Sequence, residues 1–189
     1  MFANSRVIES NQTAAHPQLR KVVLRHLASA YLRAPSDVGK HAFAGIAGQL
    51  AAAPFILDAG CGTGASTLAL ARVHSGTLVL GVDKSAARLA VGQRLIARGG
   101  APKNAQLLHC ELVDFWQLAA AAGLRCRRQY LLYPNPWPKA GQLKRRWHAH
   151  PVFPTILKLG GDIQLRTNWT IYALEFAAAL GIAGLAASP

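Results

Sequence analysis

The sequence predicts an α/β fold: a mostly parallel, doubly wound sheet of about five strands, with helices on both faces. Three observations carry this. Short apolar runs alternate with helix-length segments along most of the chain, and parallel strands need such crossovers between them. The first two runs end in carboxylates, Asp58 and Asp83. Between these acids lies Gly60-Cys61-Gly62-Thr63-Gly64, a turn that leads from a strand into a helix.

The elements follow in order. Residues 1–16 are polar and predict a mobile segment. Leu19, Val22, Val23, Leu27, Ala30 and Tyr31 share one helical face, with Arg20, Lys21 and Arg25 largely off it. Ala42–Ala53 reads as a second, alanine-rich helix. Strands are expected at Phe55–Asp58, Thr77–Asp83, Ala105–Cys110, Gln129–Tyr133 and Asp162–Thr167. Helices are expected up to about Val73, over Ser85–Arg98 and Leu112–Ala122, near Val152–Lys158, and from Thr170. The whole reads as a single domain over 1–189, with an N-terminal helical segment (1–53), a core (54–180) and an apolar tail (181–189).

Composition limits the function. The chain has 189 residues, 51% hydrophobic and 15% charged, which excludes a disordered chain. Lys and Arg number 21 against 8 Asp and Glu, a net charge of +13. That imbalance favours a polyanionic partner, most simply a nucleic acid; a generally basic composition or a solubility effect gives the same count. Cys61, Cys110 and Cys126 lack metal-ligand spacing and read as small buried thiols, so no metal is expected. The N-terminus has no basic segment followed by an apolar core, and neither Ala42–Leu57 nor Ile171–Ala187 makes a convincing membrane span. The expectation is a cytoplasmic protein without membrane contact.

The glycines allow close backbone approach and turn amides toward a ligand. Their Gly-x-Gly-x-Gly spacing differs from the Gly-x-Gly-x-x-Gly of a dinucleotide site, which favours a mononucleoside. Asp83 stands about 20 residues beyond, where a ribose-hydroxyl acceptor belongs. A ligand-free turn and a solvated carboxylate are the alternative; the two acids at matching strand ends favour the cofactor reading. The pattern resembles the first two motifs of class I S-adenosylmethionine-dependent methyltransferases, which have a Rossmann-like fold. Asp58, Asp83, Glu111, Asn135 and Asn168 all fall at or just past predicted strand ends, so the site candidates share one rim.

After the fourth strand comes Tyr133-Pro134-Asn135-Pro136-Trp137-Pro138-Lys139, then Lys144-Arg145-Arg146. The prolines stiffen the loop and aim the short polar side chain between them. Trp137 offers a flat face for a base, and the basic run suits phosphates. A proline turn with a packed tryptophan is the bland alternative for the loop alone. With the Leu159-Gly160-Gly161 turn and Thr167-Asn168-Trp169-x-x-Tyr172-Ala173, however, these segments resemble the tRNA guanine-N7 methyltransferase family over roughly residues 54–180.

The resemblance implies an S-adenosylmethionine cofactor held by Asp58, Gly60, Gly62, Gly64, Asp83 and Glu111. It implies an active-site and cofactor-contacting role for Asn135, and guanosine or RNA contacts for Lys139 and Asn168. Trp137, Lys144, Arg145 and Arg146 join the expected RNA side. His109, His148 and His150 match no family role and read as structural or solvated. Two departures stand out. Asn135 and Asn168 replace family aspartates, and the family's C-terminal antiparallel hairpin is absent from the sequence. The last sheet edge is then expected to lie open, as a place for a protein partner or self-association unless the apolar tail covers it.

Guanine N7 carries a lone pair and no proton, so its methylation needs alignment rather than a general base. The first reading is transfer of a methyl group to guanine N7 of tRNA. A diverged, catalytically weak or inactive relative that binds RNA or cofactor is the second. A methyltransferase acting on another base or a small molecule is the third, and it leaves the charge of +13 unexplained.

Overall fold

The computed structural model describes residues 8–188. The chain divides into two compact units, one of Arg33–Leu132 with Thr155–Gln164, the other of Met1–Leu32, Tyr133–Pro154 and Leu165–Pro189. The predicted mobility of residues 1–7 lies outside the described residues.

In the first unit, α2 (Asp37–Ala52) leads to β1 (Phe55–Ala59), α3 (Ala65–Val73), β2 (Val79–Asp83) and α4 (Ala86–Ala97). β3 (Ala105–His109), α5 (Leu112–Ala121) and β4 (Cys126–Leu132) follow. The strand order is β3-β2-β1-β4-β5, with β5 at Asp162–Arg166 after α6 (Phe153–Leu159). β1 pairs in parallel with β2 and β4, and β2 with β3. The five-strand α/β sheet expected from the sequence is present, and β1 sits at its switch point. Side chains alternate across a strand, so β1 serves both faces. Ile56 packs with Leu68, Ala71, Val79, Ala105 and Tyr130. The adjacent Phe55 instead meets Phe115 of α5 edge-on at 6.4 Å, and Phe115 meets Phe43 of α2 at 6.0 Å.

Helix α2 starts before the predicted Ala42, because Ser36 caps it. The Ser36 hydroxyl accepts from the Gly39 N–H at 3.0 Å and donates to buried Asp114 at 2.6 Å. Asp114 also pairs with Arg33 at 3.2 Å. A Cβ on Gly39 would lie 2.7 Å from the Asp114 carboxylate, so only glycine fits there. β4 begins at Cys126, ahead of the predicted Gln129, and ends before Tyr133, whose φ is 52°.

The second unit holds α1 (Leu19–Leu27), two 3-10 turns (Ala140–Arg145 and Trp147–Ala149) and α7 (Thr170–Ile182). Helix α1 stops short of the predicted Tyr31 and packs on α7 and the second turn. α7 buries Tyr172, Glu175, Phe176 and Ala179, one helical face. Residues 8–16 correct the expectation of mobility: Gln12 and the His16 N–H bond to Glu175, and the Ser10 hydroxyl bonds to the Pro138 carbonyl. Within the apolar tail, residues 184–188 are exposed. Among the described residues no helix is long and apolar enough to cross a membrane.

Candidate functional site

At the end of β1 the chain turns through Gly60, Gly62 and Gly64, with φ of 79°, 58° and 78°. All three lie in the left-handed region that disfavours a Cβ. A Cβ on Gly62 would meet nothing within 4 Å, so the turn is open there. A Cβ on Gly64 would press into Leu107 at 2.8 Å. The turn is therefore packed on one side and accessible on the other.

Two carboxylates fix its shape. Asp58, 1% exposed, accepts from the Ser66 hydroxyl at 2.6 Å and the Thr67 hydroxyl at 2.7 Å, fastening the strand end to the first turn of α3. Burial raises its pKa, the two hydroxyl bonds oppose this, and the nearby Asp83 charge adds to it. Asp83, 6% exposed, accepts from the Gly62 N–H at 2.9 Å and the Ser85 N–H at 2.8 Å. A carboxylate has about four acceptor positions, so Asp83 keeps capacity for hydroxyl donors. Neither acid has a cationic partner among the described residues. Glu111 stands at the N-terminus of α5, half exposed, with its carboxylate 3.4 Å from Lys84 Nζ. The Cys110 N–H donates to the Asp83 carbonyl, which places Glu111 just past the β2 end.

The cysteines are inert here. Burial pushes Cys61 and Cys126 up to about 12 and Cys110 to about 11, so all three stay protonated thiols. Among the described residues no group of His, Cys, Asp and Glu is arranged for a metal.

The second unit carries the loop after β4. Tyr133 and Trp137 both have positive φ, 52° and 47°, although neither is glycine. Such strain persists where surrounding contacts enforce it, and it concentrates at functional sites. Asn135 is exposed between its prolines, and its Oδ1 accepts from the Trp137 N–H at 3.3 Å. Lys139, Lys144, Arg145 and Asn168 are exposed. The Arg145 guanidinium lies 4.7 Å over the Trp137 ring, so one face of the indole is already covered.

Arg146 departs from expectation. It was predicted to hold phosphate with its basic neighbours, yet it is fully buried. Its Nη1 pairs with Glu175 at 2.6 Å, and Nε and Nη2 both donate to the Trp137 carbonyl, at 3.2 and 3.1 Å. Nη2 also reaches Gln12 Oε1 at 3.0 Å, and the guanidinium sits 4.8 Å over Trp169. With no exposed surface and these partners inside the protein, its guanidinium is out of reach of RNA. Glu175 in turn accepts from Arg146, His148, Gln12 and the His16 N–H. Burial alone would raise its pKa, but these hydrogen bonds outweigh it and hold the carboxyl at about 2. His148 is buried against Glu175, Tyr172 and Phe176, and burial lowers its pKa. That fits the structural role expected for it.

Sequence reasoning passed over Glu175, Gln12 and His16. A signal was present: Glu175 is the lone charge between Thr170 and Ala187, and a charge on a buried apolar helix requires partners.

The model of a family described as "Putative methyltransferase" matches residues 52–184. A tRNA (guanine-N(7)-)-methyltransferase of Mycolicibacterium gilvum (strain PYR-GCK) is 33% identical over 136 residues, 66% of this chain and 50% of the relative. One of Mycobacterium avium (strain 104) is 38% identical over 129 residues, 66% of this chain and 49% of the relative. The chain thus spans about half the length of the curated relatives it matches. A solved structure titled "Structure of an Antibiotic Related Methyltransferase" aligns with TM-score 0.55 at 15% identity, covering 76% of this chain and 75% of that one, which shows a shared fold.

Proposed function

We infer that this chain, which belongs to the methyltransferase family matched over residues 52–184, binds S-adenosylmethionine and methylates guanine N7 in tRNA. One observation carries the reading most. Two buried carboxylates, Asp58 and Asp83, flank a left-handed glycine turn, and neither has a cationic partner among the described residues. Buried negative charge calls for a positive counterpart. A cationic nucleoside with ribose donors supplies both needs.

When bound, S-adenosylmethionine supplies an activated methyl group on a sulfonium. Asp83 has acceptor capacity left for ribose hydroxyls, Gly62 leaves room beside the backbone, and Glu111, at the N-terminus of α5, is assigned to the adenine. Asp58 contributes field and holds the turn rigid. Asn135 is assigned to orient the guanine edge, because an amide both donates and accepts. No residue is required to remove a proton, since N7 has none to lose. Lys139, Lys144 and Arg145 remain the phosphate contacts, and Asn168 joins the RNA side; Arg146 does not. The face of Trp137 opposite Arg145 is assigned to a base.

The single-domain reading and a cytoplasmic setting, which suits a tRNA substrate, belong to the same proposal. Nothing observed supports a protein partner at the sheet edge. A non-catalytic relative is the second reading, motivated by the amides at Asn135 and Asn168 in place of carboxylates. Incubation with methyl-labelled S-adenosylmethionine and bulk tRNA separates the two. Label in the RNA supports transfer, and its absence with both ligands bound supports the second.

A further inference from the structure

A cavity of about 720 Å³ lies within the second unit, lined by residues 9–17 and by Pro138, Lys139 and Ala140. Its size falls within the roughly 300–1,000 Å³ range of ligand sites. Nothing in the motifs discussed above accounts for its N-terminal wall. That wall is rich in uncharged hydrogen-bonding side chains: Asn11 and Thr13 are exposed, and Gln12 is partly so. The opposite wall contributes Lys139, an exposed cation.

Both walls hang from one buried ion pair. On the loop side, Arg146 donates to the carbonyls of Trp137 and Lys139. On the other side, Glu175 accepts from the Gln12 amide and the His16 N–H. The Ser10 hydroxyl closes the junction on the Pro138 carbonyl at 2.7 Å. A polar segment far from this loop in sequence is thus locked against it, with its buried polar atoms already satisfied and its exposed ones left to meet a ligand.

We propose that this cavity takes a nucleotide of the RNA substrate, with Lys139 meeting its phosphate and the Asn11–Thr13 wall meeting its base edge or sugar. Arg146 and Glu175 are positioning residues that set the distance between the walls. Amides and hydroxyls suit the mixed donors and acceptors of a base or a 2′-hydroxyl, and Lys139 suits the anion. Glu9 adds an acceptor for base N–H groups. The proposal rests on the tRNA reading above and adds a specific place of contact to it.

The test fills the cavity without touching the ion pair. Asn11→Trp and Thr13→Trp each replace an exposed lining residue with a bulky one, and affinity for bulk tRNA is measured at fixed salt beside calorimetry with S-adenosylmethionine. Each variant should weaken tRNA binding about tenfold or more through steric exclusion, with cofactor affinity unchanged. Arg146→Lys, which keeps the charge and loses the fork, should weaken tRNA binding too while leaving cofactor affinity in place. Unchanged tRNA affinity in both tryptophan variants overturns the cavity and leaves the broader reading standing. Cofactor affinity lost while tRNA binding stays intact overturns it as well. A parent protein that binds no tRNA removes both proposals together.

Discussion

Arg146 and Glu175 meet at 2.6 Å with both side chains fully buried, and this contact ties the proline-rich loop to α7. Its pH dependence has a defined sign. The Glu175 carboxyl is held at about 2 against an ordinary value of 4.5. Between those values the unfolded chain binds a proton that the folded chain does not, so stability is present above pH 4.5 and is lost as pH falls toward 2. The loss should be on the order of 3 kcal/mol. His148 works in the same direction, because burial lowers its pKa from 6.5 and folding disfavours its protonation below that pH. Urea denaturation across pH should show this decline. Glu175→Gln should be less stable at neutral pH, from an unpaired buried Arg146, and should lack the part of the decline that falls between pH 4.5 and 2. An unaltered pH profile in Glu175→Gln would contradict the assignment.

At the glycine turn, Asp83→Ala should weaken S-adenosylmethionine binding by about 1–3 kcal/mol, the penalty for ribose donors left without an acceptor. The same change frees the N–H groups of Gly62 and Ser85. Asp83→Asn retains an acceptor and should lose less. Calorimetry on the three proteins ranks them; equal affinities would clear Asp83 of the role.

Salt dependence checks the RNA surface. Neutralising Lys139, Lys144 and Arg145 together should flatten the slope of log affinity against log salt by roughly 2–3 units. Arg146 should add nothing to that slope, because it is buried. A slope indifferent to the triple substitution would make these side chains an ordinary solvated surface.

Asn135 offers a gain-of-function test. Asn135→Asp changes charge with almost no change in shape, between prolines that fix the backbone. A carboxylate accepts guanine N–H groups more strongly than an amide does. Methyl transfer should quicken about tenfold, equivalent to about 1.4 kcal/mol in the transition state. Single-turnover rates with saturating tRNA measure it, and a slower variant would count against a base-orienting role.

Much of the fold was legible because its signals are local. Strand-end acids, left-handed glycines and apolar alternation each depend on neighbours within a few residues, and the sheet order places β1 at the expected switch point. The start of α2 was missed because its cap, Ser36, precedes the alanine-rich stretch that marks the helix. Arg146 was misread for a different reason. A run of three basic residues looks uniform in sequence, whereas Arg146 alone turns inward to a carboxylate 29 positions away. Residues 8–16 look mobile by composition, yet Gln12 bonds across 163 positions to Glu175. Long-range pairing of polar groups leaves no periodic trace, so the partners of a buried charge such as Glu175 become visible only once the chain is folded.

Methylation of guanine N7 is tested by the identity of the nucleoside that receives the methyl group. The protein is incubated with methyl-labelled S-adenosylmethionine and bulk tRNA, the RNA is digested to nucleosides, and the labelled nucleoside is identified. Label is expected in 7-methylguanosine. Label in any other nucleoside, or none in RNA that the protein demonstrably binds together with cofactor, would contradict it.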